Sequence, residues 1–209
     1  DITERKLTEI EIKERTDDMG LINSLNEAIS RGENLDSIIK LFAERLVQAF
    51  GSYATTFYLP GPDGNTLVMQ NMDPTHATVK HIERLIGRSI PQIEVPIREG
   101  SYFHRVLLSE HGLLATDAET IHNWLEGFTE TGHLPKAVRG PIRKLIPQVN
   151  KLMNIRSIIS IPLVSKKKII ALFDVTSTEI LTQKDLDRIQ KISNQLTAVI
   201  LRKQTEEQL

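Results

Sequence analysis

Residues 157–196, SIISIPLVSKKKIIALFDVTSTEILTQKDLDRIQKISNQL, set two apolar segments, a lysine-rich turn and a long amphipathic segment in immediate succession. In SIISIPLV (157–164) and KIIALFDVT (168–176) nearly every residue is apolar, the mark of strands covered on both faces. Ser165, Lys166 and Lys167 leave room only for a tight connection. The pair therefore reads as the middle of a sheet. Thr182 with Asp185 three residues on has capping spacing, and Leu186, Ile189, Ile192, Leu196, Val199 and Ile200 then fall on one helical stripe. Beyond Ile200 the sequence LRKQTEEQL is charged yet free of Gly and Pro, so the helix is expected to run on past the body that it starts on.

Working back from that stretch, NLDSIIKLFAERLVQAFG (34–51) places Leu35, Ile38, Ile39, Phe42, Leu46, Val47 and Phe50 at spacings of three and four. Asn34 can cap this helix and Gly51 can stop it. YATTFYL (53–59), the turn PGPDGN and TLVMQNM (66–72) read as a β-hairpin. Asp73 and Pro74 predict a helix start, with Val79, Ile82, Leu85 and Ile86 as its stripe and Gly87 as its end. IPQIEVPI (90–97) is a strand whose prolines disfavour an interior place in the sheet. Between Glu99 and Ile155 short helical patterns at 102–108, 121–128 and 142–153 flank an extended LLAT, with Gly and Pro throughout, which predicts a cover rather than a scaffold. The first thirty residues are helix-favouring and charged, with Met19, Ile22, Leu25 and Ile29 as the expected stripe.

Composition narrows the chemistry. The 209 residues suit one large domain with helical arms, and a net charge of -1 gives no reason to expect a polyanion such as nucleic acid as partner. Without cysteine there is no disulfide, thiolate metal site, cysteine nucleophile or thioether cofactor link. No apolar run is long enough to span a bilayer and no signal-peptide pattern opens the chain, which predicts a cytoplasmic location. Asp1 in place of methionine, with charged helical ends, predicts a piece of a longer protein.

The order helix, hairpin, helix and irregular cover, followed by SIISIPLV, KIIALFDVTS and LTQKDLDRIQKISNQLTAVI, resembles a GAF domain over roughly residues 21–209. The resemblance implies an α/β (α+β) fold: a central antiparallel sheet with a helix pair on one face, an irregular ligand-covering region on the other, and extended N- and C-terminal helices. It divides the chain into a signalling helix or linker (1–20), a sensory domain (21–200) and a helical extension towards an output domain (201–209). Ala171 stands where family members commonly have glycine. The bilin-anchoring cysteine and the cysteines of the methionine sulfoxide reductase branch are missing, and the cyclic-nucleotide signature has no match, so the resemblance implies a role without a ligand.

Alternation along such a sheet sorts the last strand into an apolar set, Ile169, Ala171, Phe173 and Val175, and a mixed set, Ile170, Leu172, Asp174 and Thr176. The mixed face is the pocket candidate, and by the same test Ser160, Thr56 and Tyr58 join it. A carboxylate within an apolar strand is costly to bury alone, so Asp174 either takes a donor from a ligand or the cover, or satisfies itself on backbone amides or a basic side chain. The cover contributes Tyr102, His104 and Trp124 as candidate ligand contacts, with Trp124 and Phe128 at helical spacing equally suited to core packing. His104 and His111 on one helix would lie about 10 Å apart, too far to share an ion, and no metal or cofactor is predicted.

Catalytic signatures are wanting. SKKK (165–168) matches a Ser-x-x-Lys pattern at a hairpin turn, where that nucleophile's helix start is lacking, and GPDGN joins strand to strand rather than strand to helix. No enzyme activity is expected. The reading is a cytosolic small-molecule sensing domain of a signal-transduction protein, a two-component sensor histidine kinase foremost, linked to an output domain. It relays ligand state through coiled-coil-like terminal helices in a homodimer, with Met19, Ile22, Leu25, Ile192, Leu196 and Val199 as the dimer and signalling residues. The alternatives are a ligand-free dimerisation and relay module, and an enzyme with an unrecognised site.

Overall fold

A computed structural model describes residues 2–52, 54–70, 93–109, 111–130 and 136–207, with positions 80, 83, 84 and 87 between them. Along these run α1 (Ile2–Ser30), α2 (Leu35–Phe50), β1 (Ala54–Pro60), β2 (Thr66–Met69), β3 (Glu94–Pro96), α3 (Tyr102–Leu108), β4 (Leu113–Ala115), α4 (Ala118–Thr129), α5 (Lys136–Arg143), α6 (Ile146–Met153), β5 (Ser157–Ser165), β6 (Lys168–Ser177) and α7 (Gln183–Glu207). Of the helix expected from Asp73, Lys80, Glu83 and Arg84 are described and helical and Gly87 follows with φ 68°, while its start and its apolar stripe lie outside the described residues.

The strands form one sheet in the order β3-β2-β1-β6-β5-β4, with antiparallel pairing throughout. β5 and β6 pair along their length and each has a neighbour on its other side, as their largely apolar sequences require. The outer strands β3 and β4 are only three residues long, which keeps the sheet's free edges short. Lys166 and Lys167 both adopt positive φ, 48° and 63°, the backbone of a type I′ hairpin turn.

The two faces carry different cores. On one, Phe57, Ile159, Ile161, Leu163, Ala171, Phe173 and Val175 meet α2 through Ile38, Phe42 and Leu46 and α7 through Ile189, Ile192, Leu196 and Ile200. Phe173 lies between Phe42, edge-on at 5.3 Å, and Phe57, stacked at 6.3 Å. The expected helix pair is joined there by α1, whose Leu21, Leu25 and Ala28 are buried in the same cluster. Asn34 caps α2 by accepting from the Ser37 amide at 2.9 Å, Gly51 ends it with φ 57°, and Thr182 with Asp185 forms the reciprocal cap at the start of α7. Tyr58, Leu67, Val95, Ile158 and Leu172 face the opposite way, under α3, α4 and α6.

Three expectations need correction. Ile170 belongs to the helix-side core and not to the mixed set, because a bulge between Leu163 and Val164 shifts the β5–β6 register there, so that Val164 pairs with Ile169. The single helical pattern at 142–153 is two helices, α5 and α6, since Pro147 lacks the N–H a continuous helix would bond to residue 143 and its ring would meet that carbonyl. On α1 the buried stripe is Leu21, Leu25 and Ala28, with Ile22 and Ile29 partly buried beside it, while Met19 is 64 % exposed. Leu25, Ile192, Leu196 and Val199 are thus held inside their own protomer's core.

Candidate functional site

Three neighbouring strands bring the site together from positions far apart in sequence. Ser160 on β5 and Thr56 on β1 both pair with Asp174 on β6, so the three lie in one row across the cover-side face. Tyr58 is two residues along β1 and therefore on the same face. From above, Tyr102 comes from the first turn of α3, whose N-cap Ser101 accepts from the His104 amide. Trp124 comes from α4, capped by Asp117 accepting from Thr120 at 2.8 Å. The bond to Thr120 also holds the Asp117 carboxyl below its usual range.

The carboxylate of Asp174 is wholly buried, and among the described residues its three hydrogen-bond donors are all neutral. Its Oδ2 accepts from the Tyr58 hydroxyl at 2.9 Å and from Trp124 Nε1 at 2.7 Å, while Oδ1 accepts a short hydrogen bond from the Ser160 hydroxyl. Since the Ser160 hydrogen is committed to Asp174, the Tyr102 hydroxyl, 2.7 Å from Ser160 Oγ, is the donor in that pair. The result is a relay Tyr102 to Ser160 to Asp174, with Tyr58 and Trp124 closing on the other oxygen.

Burial dominates the electrostatics. It pushes Asp174 up to about 6 against the pull of its three donors, which favour the ionised form. Tyr58 and Tyr102 are raised in turn, first by burial and then by the negative charge of Asp174, so both hydroxyls remain donors.

Aromatic rings wall the cluster. Trp124 meets Phe128 edge-on at 4.8 Å, Phe128 meets Phe103 at 5.7 Å, and Phe103 meets Tyr58 at 5.7 Å and Tyr102 at 5.4 Å. The approach of α4 to α3 depends on Gly127, where a Cβ would sit 2.7 Å from the Phe103 ring. Of the sequence-derived candidates, Tyr58, Tyr102, Trp124, Ser160 and Asp174 are brought into one hydrogen-bonded cluster. Thr56 lies beside it, half-buried and close enough to Tyr58 to oppose the rise in its pKa. His104 is not part of it: its Nδ1 accepts from the Gly100 amide at 3.3 Å, tying the ring to the loop that opens α3. Phe103, missed in the sequence reading, is buried at the centre of the rings. Its signal was its place beside Tyr102 in an amphipathic turn.

The stretch from α2 through the sheet and its helical cover into α7 is matched by the model of the family described as GAF domain, over residues 34–200. The chain belongs to the GAF domain family. Members are signalling sensor modules, generally regulatory ligand-binding domains and not catalytic ones. Among solved structures, the GAF domain of a phosphoenolpyruvate-protein phosphotransferase from Coxiella burnetii is 13 % identical with a TM-score of 0.61, and the match covers 93 % of this chain and 98 % of that one. The phycoerythrobilin-bound GAF domain of a cyanobacterial phytochrome is 14 % identical with a TM-score of 0.61, covering 92 % and 99 %. A domain of a putative two-component sensor histidine kinase from Sinorhizobium meliloti is 11 % identical with a TM-score of 0.51, covering 84 % and 96 %. At these identities the likeness is one of fold. No curated protein matches the sequence. Among the described residues of this GAF domain, no helix is long and apolar enough to cross a membrane.

Proposed function

We propose that this GAF domain is the small-molecule sensing module of a cytoplasmic signal-transduction protein, a two-component sensor histidine kinase foremost. It works as a homodimer joined to a covalently linked output domain and has no catalytic role of its own. The observation that carries the reading is the division of Asp174's donors between sheet and cover. Tyr58 and Ser160 sit on strands laddered to β6, whereas Trp124 sits on α4. A molecule that bound at Asp174 would change how α4 rests on the sheet. Directly behind Asp174, Phe173 and Val175 bear on the cluster that includes α2 and α7, so the change has a packed route to the helix that leaves the domain.

The exit and entry helices are coupled. Arg188 of α7 bonds Asp18 of α1 at 2.7 Å, contacts the Glu14 carboxylate at 3.5 Å and lies 4.5 Å over the Phe50 ring. Lys184 pairs with Glu14, so α1 and α7 run side by side in the same direction. Leu7 and Ile10, 63 % and 53 % exposed, continue the α1 face that Leu21 and Leu25 bury further along, where α7 has not yet begun. A second copy would cover them, forming a parallel helical seam. Sedimentation of the intact chain tests this: dimers in the wild type and monomers in Leu7→Glu/Ile10→Glu support the homodimer, and monomers in both at high concentration remove it.

A ligand-free dimerisation and relay module is favoured by a different fact, that Asp174's carboxylate is already fully donated to within the protein. A metabolite screen by thermal shift decides between the two: saturable stabilisation together with a change in the emission of Trp124, the sole tryptophan, supports sensing, and its absence across the screen supports the relay.

A further inference from the structure

We propose that the molecule sensed carries a protonated nitrogen, an ammonium or guanidinium group, which takes the place of the Trp124 indole N–H on Asp174. The inference rests on the sensing reading above and adds the chemical class of the ligand.

Hydrogen bonding calls for acceptors at this position and leaves the charge itself without a counter-charge. An asparagine could turn its carbonyl oxygen to Tyr58 and Trp124, which share Oδ2, and its amide to Ser160, which bonds Oδ1. One hydroxyl hydrogen, on Ser160 or Tyr102, and the second amide hydrogen would be left over. The three donors stabilise the charge of Asp174 without neutralising it, and that charge is what makes burial costly. A buried charge with no cationic partner among the described residues is the arrangement that a cationic ligand completes.

The exchange can occur at one donor only. Tyr58 and Ser160 are fixed by the ladders β1–β6 and β5–β6, while Trp124 reaches Asp174 from the cover. Trp124 is therefore an internal stand-in for the ligand: it occupies the acceptor position with a neutral donor while the cover is closed. A neutral ligand would exchange one neutral hydrogen bond for another and gain little, and an anion would meet Asp174 directly. A cation adds charge pairing that the indole cannot supply. The rings of Phe103 and Phe128, in contact with each other and with Tyr58, add aromatic surface beside the cluster that suits the same charge.

The test titrates the intact chain with three matched panels, headed by putrescine and agmatine as cations, butane-1,4-diol as their neutral counterpart and succinate as the anionic one. Binding is followed by Trp124 fluorescence and calorimetry. Saturable binding confined to cations supports the proposal, provided that it weakens roughly tenfold from pH 7 to pH 5 as Asp174 takes up its proton, with the wild-type protein itself folded at both. Asp174→Asn should weaken it by tenfold or more, and Trp124→Phe, which removes the stand-in donor and keeps a ring, should tighten it. Because these two variants move affinity in opposite directions, general damage to the cover cannot imitate the pair of results. Neutral or anionic compounds binding and shifting Trp124 while cations do not would overturn the ligand class and leave the sensing reading standing. Silence from all three panels would count against both.

Discussion

Phe173 and Asp174 are consecutive, equally buried and on the same strand, yet they belong to two different kinds of interior. Phe173 sits among Phe42, Phe57 and the aliphatic side chains of α2 and α7, in a cluster built of apolar side chains that do not titrate. One residue along, Asp174 faces a cluster in which each donor is a polar tip on an aromatic or hydroxyl side chain. A strand's two-residue period lets one segment hold the domain together with one face and build a costly, adaptable site with the other. If that division is real, substitutions on the two faces should separate stability from response.

The largest expected effect is on the helix side. Phe173→Ala should lower unfolding stability by about 3 to 5 kcal/mol, from lost burial and the cavity left among Phe42 and Phe57. Urea denaturation gives the loss, and Trp124 emission of the remaining folded protein should shift only slightly, through the packed route behind Asp174. A shift in that emission as large as the stability loss would mean that the two interiors are one.

Next comes the pH dependence. Burial lifts Asp174 from 3.8 in the unfolded chain to about 6 in the fold, so the folded protein binds this proton more tightly than the unfolded one. The sign follows: the contribution is most favourable below about pH 4, is lost progressively as pH rises through 4 to 6, and is flat above. The gap of about 2 pH units corresponds to about 3 kcal/mol. Asp117 and Glu126, held below their usual range by the Thr120 amide and Arg143, give a small opposite slope, so the informative quantity is the difference between wild type and Asp174→Asn. Denaturation midpoints across pH 4 to 7 should fall in the wild type relative to the variant. Parallel curves would show that the carboxylate is not carrying a buried charge.

Gly127→Ala should cost about 2 kcal/mol by forcing a Cβ against Phe103, with Val95 behind it. It should alter Trp124 emission more than Phe173→Ala does, because the push is on α4. Unchanged emission would place the slack elsewhere in the cover.

How much of this could be read from sequence depended on periodicity. Thr56, Tyr58, Ser160 and Asp174 were legible as one face because strand alternation is strict and β5 and β6 are unmistakably apolar. Tyr102 and Trp124 were legible by residue type but not by position: a helix turns 100° per residue, so His104, two residues from Tyr102, points to its own loop and not into the cluster. Ile170 changed face because a bulge inserts one residue, an event that alternation does not announce. Met19 was misplaced because α1 has a weak apolar pattern, and its buried face is chosen by where α2 and α7 happen to lie.

The smallest effect tests the comparison from outside both faces. Lys166 and Lys167 occupy the two central positions of the β5–β6 turn with φ of 48° and 63°, a region that costs most L-residues free energy and that asparagine and glycine adopt readily. Replacing the pair by Asn-Gly should therefore raise stability by about 1 kcal/mol, read as a small rise in the denaturation midpoint. The turn contributes to neither cluster, so Trp124 emission and the pH difference at Asp174 should both stay as they are. The bulge at Leu163 and Val164 lies between the turn and Asp174, and it gives the strand pair a place to absorb a change at its tip. Were the Asn-Gly turn to alter the Trp124 signal, the hairpin would have to transmit register past the bulge to Ser160 and Asp174. The two faces of β6 would then be coupled along the strand as well as through it.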